Sequence, residues 1–393
     1  MPSPTYGSSG RASVPTSGPT GTYRGSGRAR LPASRYDDDG YGSSPPPRGP
    51  GGGGAYSGRR RPRWGRIFLV FSLALLLLAG VAAGGAYLYY KGLDSDLQRA
   101  DAFSKVTGDR PVSAVAGAQN ILLLGSDSRD PDNKAKPGEW RTDTMILMHV
   151  SADHQKAYMI SMPRDLYVKI PQSPTNPELG NTTSKINAAF AWGGLPLAVQ
   201  TVEGFTGVHV DHVVLVDFGG FEEVTDALGG VDLTIEQDTT SIHKPFRKFK
   251  KGVNHLNGEE ALDWVRQRKQ FPDGDFARMR HQQEFMKALM DKASSTGTLS
   301  NPLKLNAFLK SVTKAMTVDN DFSLADTALQ FRSIRSDDLT FLVSPNLGSK
   351  TIDGESVVVS DKAKASALYD AVAKDTVADW VTNNASPPAK PGR

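Results

Sequence analysis

Residues 67–90, IFLVFSLALLLLAGVAAGGAYLYY, form an apolar run without a single charged side chain. At 1.5 Å of rise per residue this stretch makes a helix of about 36 Å, enough to cross a hydrocarbon core of about 30 Å with some tilt. The tyrosines at its distal end suit an interfacial aromatic belt. A cleaved signal sequence has a shorter apolar region and begins near the N-terminus, so the run is predicted to be a transmembrane helix.

A span divides everything else into two sides. Residues 1–66 are mostly Gly, Ser, Pro, Arg and Tyr, with almost no aliphatic residue. Such a segment cannot bury enough apolar surface to offset its ordering entropy, and a disordered tail is predicted. Arg59, Arg60, Arg61, Arg63 and Arg66 precede the span, whereas Lys91, Asp94 and Asp96 follow it. The positive-inside rule then places the tail in the cytoplasm and residues from about 91 onward outside the cell membrane. The tail's eleven Arg and three Asp carry +8 of a formal net charge of +4, leaving −4 on the remainder. The basic balance therefore belongs to the tail, where it suits anionic lipid headgroups. The exported part is mildly acidic, which argues against nucleic acid as a partner. Cysteine is absent, which excludes disulfide frameworks, thiolate metal sites and cysteine nucleophiles.

Residues 91–118 read as a stalk, partly helical around LDSDLQRADAFSKV, and residues 119–380 as the exported domain. Short apolar runs at 120–125, 144–151, 156–162, 211–218 and 230–235 are predicted strands, joined late in the chain by 339–344 and 355–360. Helices are predicted at 184–192, 195–205, 221–228, 257–265, 276–293, 302–316, 323–334 and 361–374. Strands alternating with helices imply an α/β fold, a three-layer α/β/α sandwich around a central mixed β-sheet. Residues 381–393 read as a second loose tail.

Several common catalytic signatures are missing: GxxxxGK[ST], GxSxG and HExxH do not occur. SVTK at 311–314 matches a serine–lysine pattern without its companion elements and is expected by chance. His209 and His212 fall three apart in a predicted strand, on opposite faces, so they do not read as a metal pair.

The chemistry concentrates in two loops and one helix start. GSDSRD presents Asp127 and Arg129, and RTDT presents Arg141 and Asp143. In an extended chain residues two apart share a side, so each loop can present a carboxylate and a guanidinium together. PRD adds Arg164 beside Asp165. Carboxylate oxygens suit Mg²⁺, and arginine forks suit phosphate oxygens. Asp-Ser-Arg-Asp-Pro-Asp is also good turn chemistry, and RTDT can simply begin a strand. Arg266 and Arg268 would diverge on a helix but converge in an extended chain, so the helix begun near Asn257 is predicted to stop at 265–267. A second helix is predicted from Phe276. Along it Arg278, Gln282, Phe285 and Leu289 share one face, polar at its start and apolar at its end. That profile suits an amphiphile with a charged head and a greasy tail. Arg280 and Lys287 read as ordinary solvated side chains.

Taken in order, NILLLGSDSRD, RTDTMILMHV, SMPRDLYVKIP, KINAAFAWGG, DHVVLVDFGGFEEVTDALGGVDL and LNGEEALDWVRQRK…DGDFARMRHQQEF resemble the LytR-CpsA-Psr family, across core motifs at 120–292. The resemblance implies a transferase: a Mg²⁺-dependent phosphotransferase that moves an anionic glycopolymer such as wall teichoic acid from a polyprenyl-pyrophosphate carrier to peptidoglycan. It implies Asp127 and Asp143 as metal ligands, with Asp143, Arg266, Arg268 and Arg278 catalytic. Arg129, Arg141, Arg164, Arg266, Arg268, Arg278 and Gln282 would bind the pyrophosphate, and Phe285 and Leu289 would wall a lipid-tail pocket. Where the family commonly has a second arginine before the glutamine, this chain has His281, which exchanges a permanent charge for a titratable one. The alternatives to transfer are a lipid pyrophosphate hydrolase and a non-catalytic, membrane-anchored lipid-binding or regulatory module.

Overall fold

The computed structural model describes residues 85, 88–126 and 142–384. The predicted N-terminal tail, residues 385–393 of the predicted C-terminal tail, most of the predicted span, and Asp127, Arg129 and Arg141 lie outside the described residues. Among the described residues no helix is long and apolar enough to cross a membrane.

A seven-stranded mixed sheet organises the described residues. Its strands are β1 (Gln98–Ala100), β2 (Gln119–Ser126), β3 (Thr142–Val150), β4 (Ala157–Ser161), β5 (His212–Asp217), β6 (Met316–Asp319) and β7 (Leu339–Val343), in spatial order β1-β6-β5-β2-β3-β4-β7. β2 runs parallel to β5 and antiparallel to β3, and β4 runs antiparallel to β3 and parallel to β7. The apolar runs predicted at 120–125, 144–151 and 156–162 form its centre. They are nearly continuous in hydrophobicity because both faces are covered, as buried strands require.

Alternate side chains serve the two faces. Leu122, Leu124, Met145, Leu147 and Ile160 pack with residues of α1 (Asn187–Thr206) and with Leu368 and Tyr369 of a helix at Lys362–Ala373. Ile121, Ile146, Met148 and Met159 face Met286 and Met290 on the opposite side, together with Phe331. Each fully buried aliphatic side chain contributes about 1.5–3 kcal/mol. A third cluster lies under the hairpin pair Val231–Ile235 and Gly252–Leu256, where Leu233 and Leu256 meet Trp264 and Phe285. Helices α2 (Phe218–Ala227), α3 (Gly258–Val265) and α4 (Asp275–Ala293) lie around this cluster.

The two helices predicted at 184–192 and 195–205 are one element with an internal break. Gly194 takes φ 64° and ψ −151°, and Pro196 follows it. Proline supplies no amide hydrogen, and glycine tolerates the positive φ, so the axis turns there. The predicted stalk is part of the domain: β1 pairs with β6, and Leu93, Leu97 and Ala102 are buried. The chain also stays helical at Val377–Asn384, beyond the predicted start of the C-terminal tail.

Candidate functional site

The ends of several strands meet on one edge of the sheet. Ser126 at the end of β2 pairs with Thr142 at the start of β3 and with Asp217 at the end of β5. Arg164 follows β4, whose end also lies on this edge, since Met162 donates its amide to Met145 O of β3 at 2.8 Å. The edge beyond strand carboxyl ends is where α/β sheets usually hold ligands.

Here Arg164 Nη1 donates to Asp143 Oδ1 at 2.5 Å. Arg278, from the first turn of α4, donates through Nη2 to Asp275 Oδ2 at 2.9 Å and to the Asp143 carbonyl at 3.1 Å, with its Nη1 at 3.6 Å from Asp143 Oδ2. Arg268 Nη1 donates to Asp275 Oδ1 at 3.4 Å. Gln282, one turn further along α4, donates to Thr144 Oγ1 at 2.8 Å. The structure therefore brings together Asp143, Arg164, Arg268, Arg278 and Gln282 from four separate stretches of chain.

Their charges are strongly coupled. Burial alone would raise the Asp143 pKa, but Arg278 and Arg164 outweigh it and hold the carboxyl below its ordinary value. Burial pulls the Arg278 pKa down, opposed by Asp275 and Asp143 and reinforced by Arg164 and Arg268. Arg278 is only 4% exposed. Even so, among the described residues the Nε–H groups of both Arg164 and Arg278 are buried without a hydrogen-bond partner. Buried donors are nearly always paired, so these two are available to an acceptor the cluster does not itself contain.

Asp275 lies one residue before the predicted helix start at Phe276, in a Pro-Asp-Gly-Asp stretch whose local chemistry is that of a turn. Its signal was the i, i+3 spacing to Arg278 on a helix. It joins three arginines: Arg278, Arg268 and, at 3.8 Å, Arg164.

The helix α3 stops where expected. Asn257 and Glu260 form a capping box at its start, and Val265 is its last residue. Gln267 then turns inward, donating to Asp263 O at 2.8 Å, Asp263 Oδ1 at 2.7 Å and Ser241 Oγ at 2.9 Å. The two flanking arginines take different neighbours. Arg268 joins Asp275, whereas the Arg266 guanidinium lies 4.7 Å over the Phe218 ring.

Phe285 is stacked on Phe221 with centroids 4.1 Å apart, and Leu289 packs against the same cluster. Arg280 pairs with Asp273 on the surface and Lys287 lies 3.4 Å from Asp337, so both are solvated as expected. Ser311 donates to its own helix and Lys314 reaches out towards Glu223, so SVTK assembles no nucleophile. His209 contacts the Pro111 carbonyl and His212 contacts Asp319.

His281 does not face the cluster. It is fully buried, 4.5 Å from the Trp264 ring and 4.8 Å from Phe271. Burial, reinforced by Arg280, lowers its pKa to about 4, so the ring is neutral at pH 7. Between pH 6.5 and 4 the unfolded chain binds a proton that the folded chain refuses, so stability falls as the pH falls through that window. His281→Phe is therefore expected to lose less stability than the parent between pH 7 and pH 5. The difference should be roughly 2 kcal/mol at pH 5, read by thermal melting. Parallel melting curves for the two proteins would rule out this role.

The LytR_cpsA_psr family model matches residues 88–374. The Bacillus subtilis protein TagV, a polyisoprenyl-teichoic acid–peptidoglycan teichoic acid transferase, is 34% identical over 243 residues, 60% of this chain and 59% of TagV. The chain thus spans less than two thirds of that relative. The TagU transferase of Bacillus cereus is 32% identical over 273 residues, 66% of this chain and 81% of TagU. Among solved structures, TagT bound to LIIa-WTA has a TM-score of 0.53 and 25% identity, covering 70% of this chain and 99% of that one.

Proposed function

Because this chain belongs to the LytR-CpsA-Psr family, we propose that it is a phosphotransferase. It moves an anionic glycopolymer of the teichoic acid type from a polyprenyl-pyrophosphate carrier to peptidoglycan and joins them through a phosphodiester. The observation that carries this is the arginine cluster around Asp143 and Asp275, in which the Nε–H donors of Arg164 and Arg278 have no hydrogen-bond partner among the described residues. Planar guanidinium forks in a half-buried site match phosphate oxygens in shape and charge.

The acceptor hydroxyl attacks the glycan-side phosphorus, the bond to polyprenyl phosphate breaks, and the hydroxyl proton passes to the departing polyprenyl phosphate. Arg164, Arg268 and Arg278 hold the pyrophosphate and stabilise charge on the phosphoryl oxygens in the transition state. Positioning and electrostatics of this kind dominate phosphoryl transfer. Gln282, anchored on Thr144, lies beside them on α4. Asp143 is a poor proton acceptor because its neighbours hold it ionised.

An ionised, partly exposed carboxylate next to a phosphate site is suitable donor chemistry for Mg²⁺, which takes one or two carboxylates plus phosphate oxygens. Among the described residues no group of three or more His, Asp or Glu forms a metal site. Asp143 would hold the ion together with Asp127. When bound, Mg²⁺ supplies further charge neutralisation on the pyrophosphate. The apolar run at 67–90 and the arginines before it support a single-pass anchor in the cell membrane, with the N-terminus in the cytoplasm and the catalytic domain outside.

Full-length protein incubated with lipid-linked glycan donor and peptidoglycan fragments is expected to yield glycan attached to peptidoglycan. Chelation should stop the reaction and Mg²⁺ should restore it. Free phosphoglycan as the sole product would make the protein a hydrolase. Absence of turnover under all these conditions would leave it a binding module.

A further inference from the structure

The domain begins where the apolar run of the sequence ends. Residues 88–95 are helical, with Leu93 buried in the domain and Leu88, Tyr89 and Tyr90 exposed. The Tyr89 hydroxyl donates to Asn306 Oδ1 at 2.9 Å, which ties the end of the run to α5 (Pro302–Ala315), 217 residues further on. Asn301 starts this helix by accepting the amides of Leu303 and Lys304, and Pro302 takes the first position. The inner side of α5 packs on α2, where Ala315 lies so close to Gly220 that a side chain there would collide with it. The chain then runs straight into β6, whose first residue, Met316, pairs with Val216 near the site edge of β5.

The outer side of α5 is a stripe of exposed residues, Leu303, Ala307, Lys310 and Lys314, at i, i+4, i+7 and i+11. Leu303 is 80% exposed, and Lys304 is exposed beside it. The helix carries three lysines and no carboxylate. Lys314 lies 3.8 Å from Glu223, whereas Lys304 and Lys310 form no ion pair among the described residues. In water such a face leaves a leucine hydrated and its ammonium groups without counter-charge. At a bilayer surface the leucine leaves water, and each lysine can lay its stem on apolar surface while its head meets a phosphate. The headgroup layer is about 5–7 Å thick on each side of the hydrocarbon core, and a helix with its side chains is about 10–12 Å across. A helix hydrogen-bonded to a tyrosine at the end of a membrane span therefore lies at that layer.

We propose that the outer face of α5, together with Leu88, Tyr89 and Tyr90, docks on the outer surface of the membrane that anchors the chain. Leu303 enters the headgroup layer, and Lys304, Lys310 and Lys314 take anionic phospholipid phosphates. This rests on the single-pass anchor described above. Docking has a consequence for the reaction, because α5 is continuous with β6 and its last residue touches α2 at Gly220. One rigid helix thus links the lipid surface to the sheet edge that carries the arginines. It holds that edge at the height where the pyrophosphate of a lipid carrier lies, so the catalytic domain does not swing freely on its anchor.

The chain contains no cysteine, so one introduced thiol carries one fluorophore at one place. Leu303→Cys, Leu347→Cys and Leu76→Cys, each in the full-length chain, are labelled with an environment-sensitive fluorophore. They are reconstituted into vesicles of phosphatidylglycerol and phosphatidylcholine containing a nitroxide-bearing lipid. Leu347 is the control, 71% exposed in the hairpin that follows β7, at the opposite edge of the sheet from β1. Leu76 lies in the middle of the apolar run and reports the span. Blue-shifted emission quenched by the lipid is expected at position 303 and not at 347. The quenching at 303 should be lost when Lys304→Glu and Lys310→Glu are added, and when phosphatidylcholine is the only phospholipid. Quenching at 76 without quenching at 303 overturns the docking face and leaves the anchor standing. Without quenching at 76 the anchor fails, and the face is decided at 303 alone, supported by quenching and overturned by its absence. Quenching at 303 that survives both lysine reversals overturns the headgroup contact. A blue shift at 303 caused by soluble teichoic-acid-type polymer in detergent, with no lipid quenching in vesicles, assigns the face to the glycan and overturns the membrane.

Discussion

Arg278→Ala is expected to lower glycan transfer by about 10²–10³-fold, the usual cost of removing one preorganised transition-state donor. Arg278 is the most buried arginine of the cluster, and it hydrogen-bonds Asp275 while lying 3.6 Å from the Asp143 carboxylate. Without it the two carboxylates face the pyrophosphate with less compensation, and the like charges oppose the substrate. The same change leaves two partly buried carboxylates short of a partner, and a loss of about 1–3 kcal/mol in stability is expected alongside. Arg278→Lys restores the charge without the fork and should recover only part of the rate. Melting curves separate the two effects, since a folded Arg278→Ala protein that transfers at the parent rate would remove the cluster from the chemistry.

Trp264→Ala should produce the largest loss of stability, about 3–5 kcal/mol, as expected for deleting a large aromatic side chain from a core. Trp264 is fully buried. Its ring meets Phe249 at 5.2 Å, Phe271 at 6.0 Å and His281 at 4.5 Å, so it joins the hairpin layer, the loop after α3 and the first turns of α4. For a domain of this size the melting temperature should fall by roughly 10 °C. Because Trp264 lies two residues before Arg266, the arginine segment is expected to loosen and transfer to fall at temperatures where the variant is still folded. An unchanged melting temperature would mean that this cluster closes over the cavity without cost, contrary to its packing.

Much of the site was legible in the sequence, for reasons tied to particular residues. Arg266 and Arg268 suit one ligand only if α3 ends before them, and the chain does leave the helix after Val265. Arg278 and Gln282 share a face at i, i+4, and both reach β3. Asp275 was not legible, because a carboxylate in a Gly-Asp turn has no value until its arginine partners arrive from elsewhere. Nor was the parting of Arg266 from Arg268. An extended chain puts the two on one side, but Phe218 captures one guanidinium and Asp275 the other. The environment of His281 was hidden for the same reason, since Trp264 and Phe271 come from outside its helix.

The short strands behave similarly. Gln98–Ala100 and Met316–Asp319 have too few apolar residues to announce themselves, and they are strands because each finds a partner edge. By itself the sequence determined the membrane-length apolar run, the alternation of strands and helices, and the list of phosphate-suited side chains. These follow from local rules: hydrophobic length, periodicity and the chemistry of each residue type. Only the tertiary structure decided which charges meet, which are left with spare donors, and which polar groups become core. Those outcomes depend on distances between residues far apart in the chain, and electrostatic strength and desolvation cost are set by that proximity and burial.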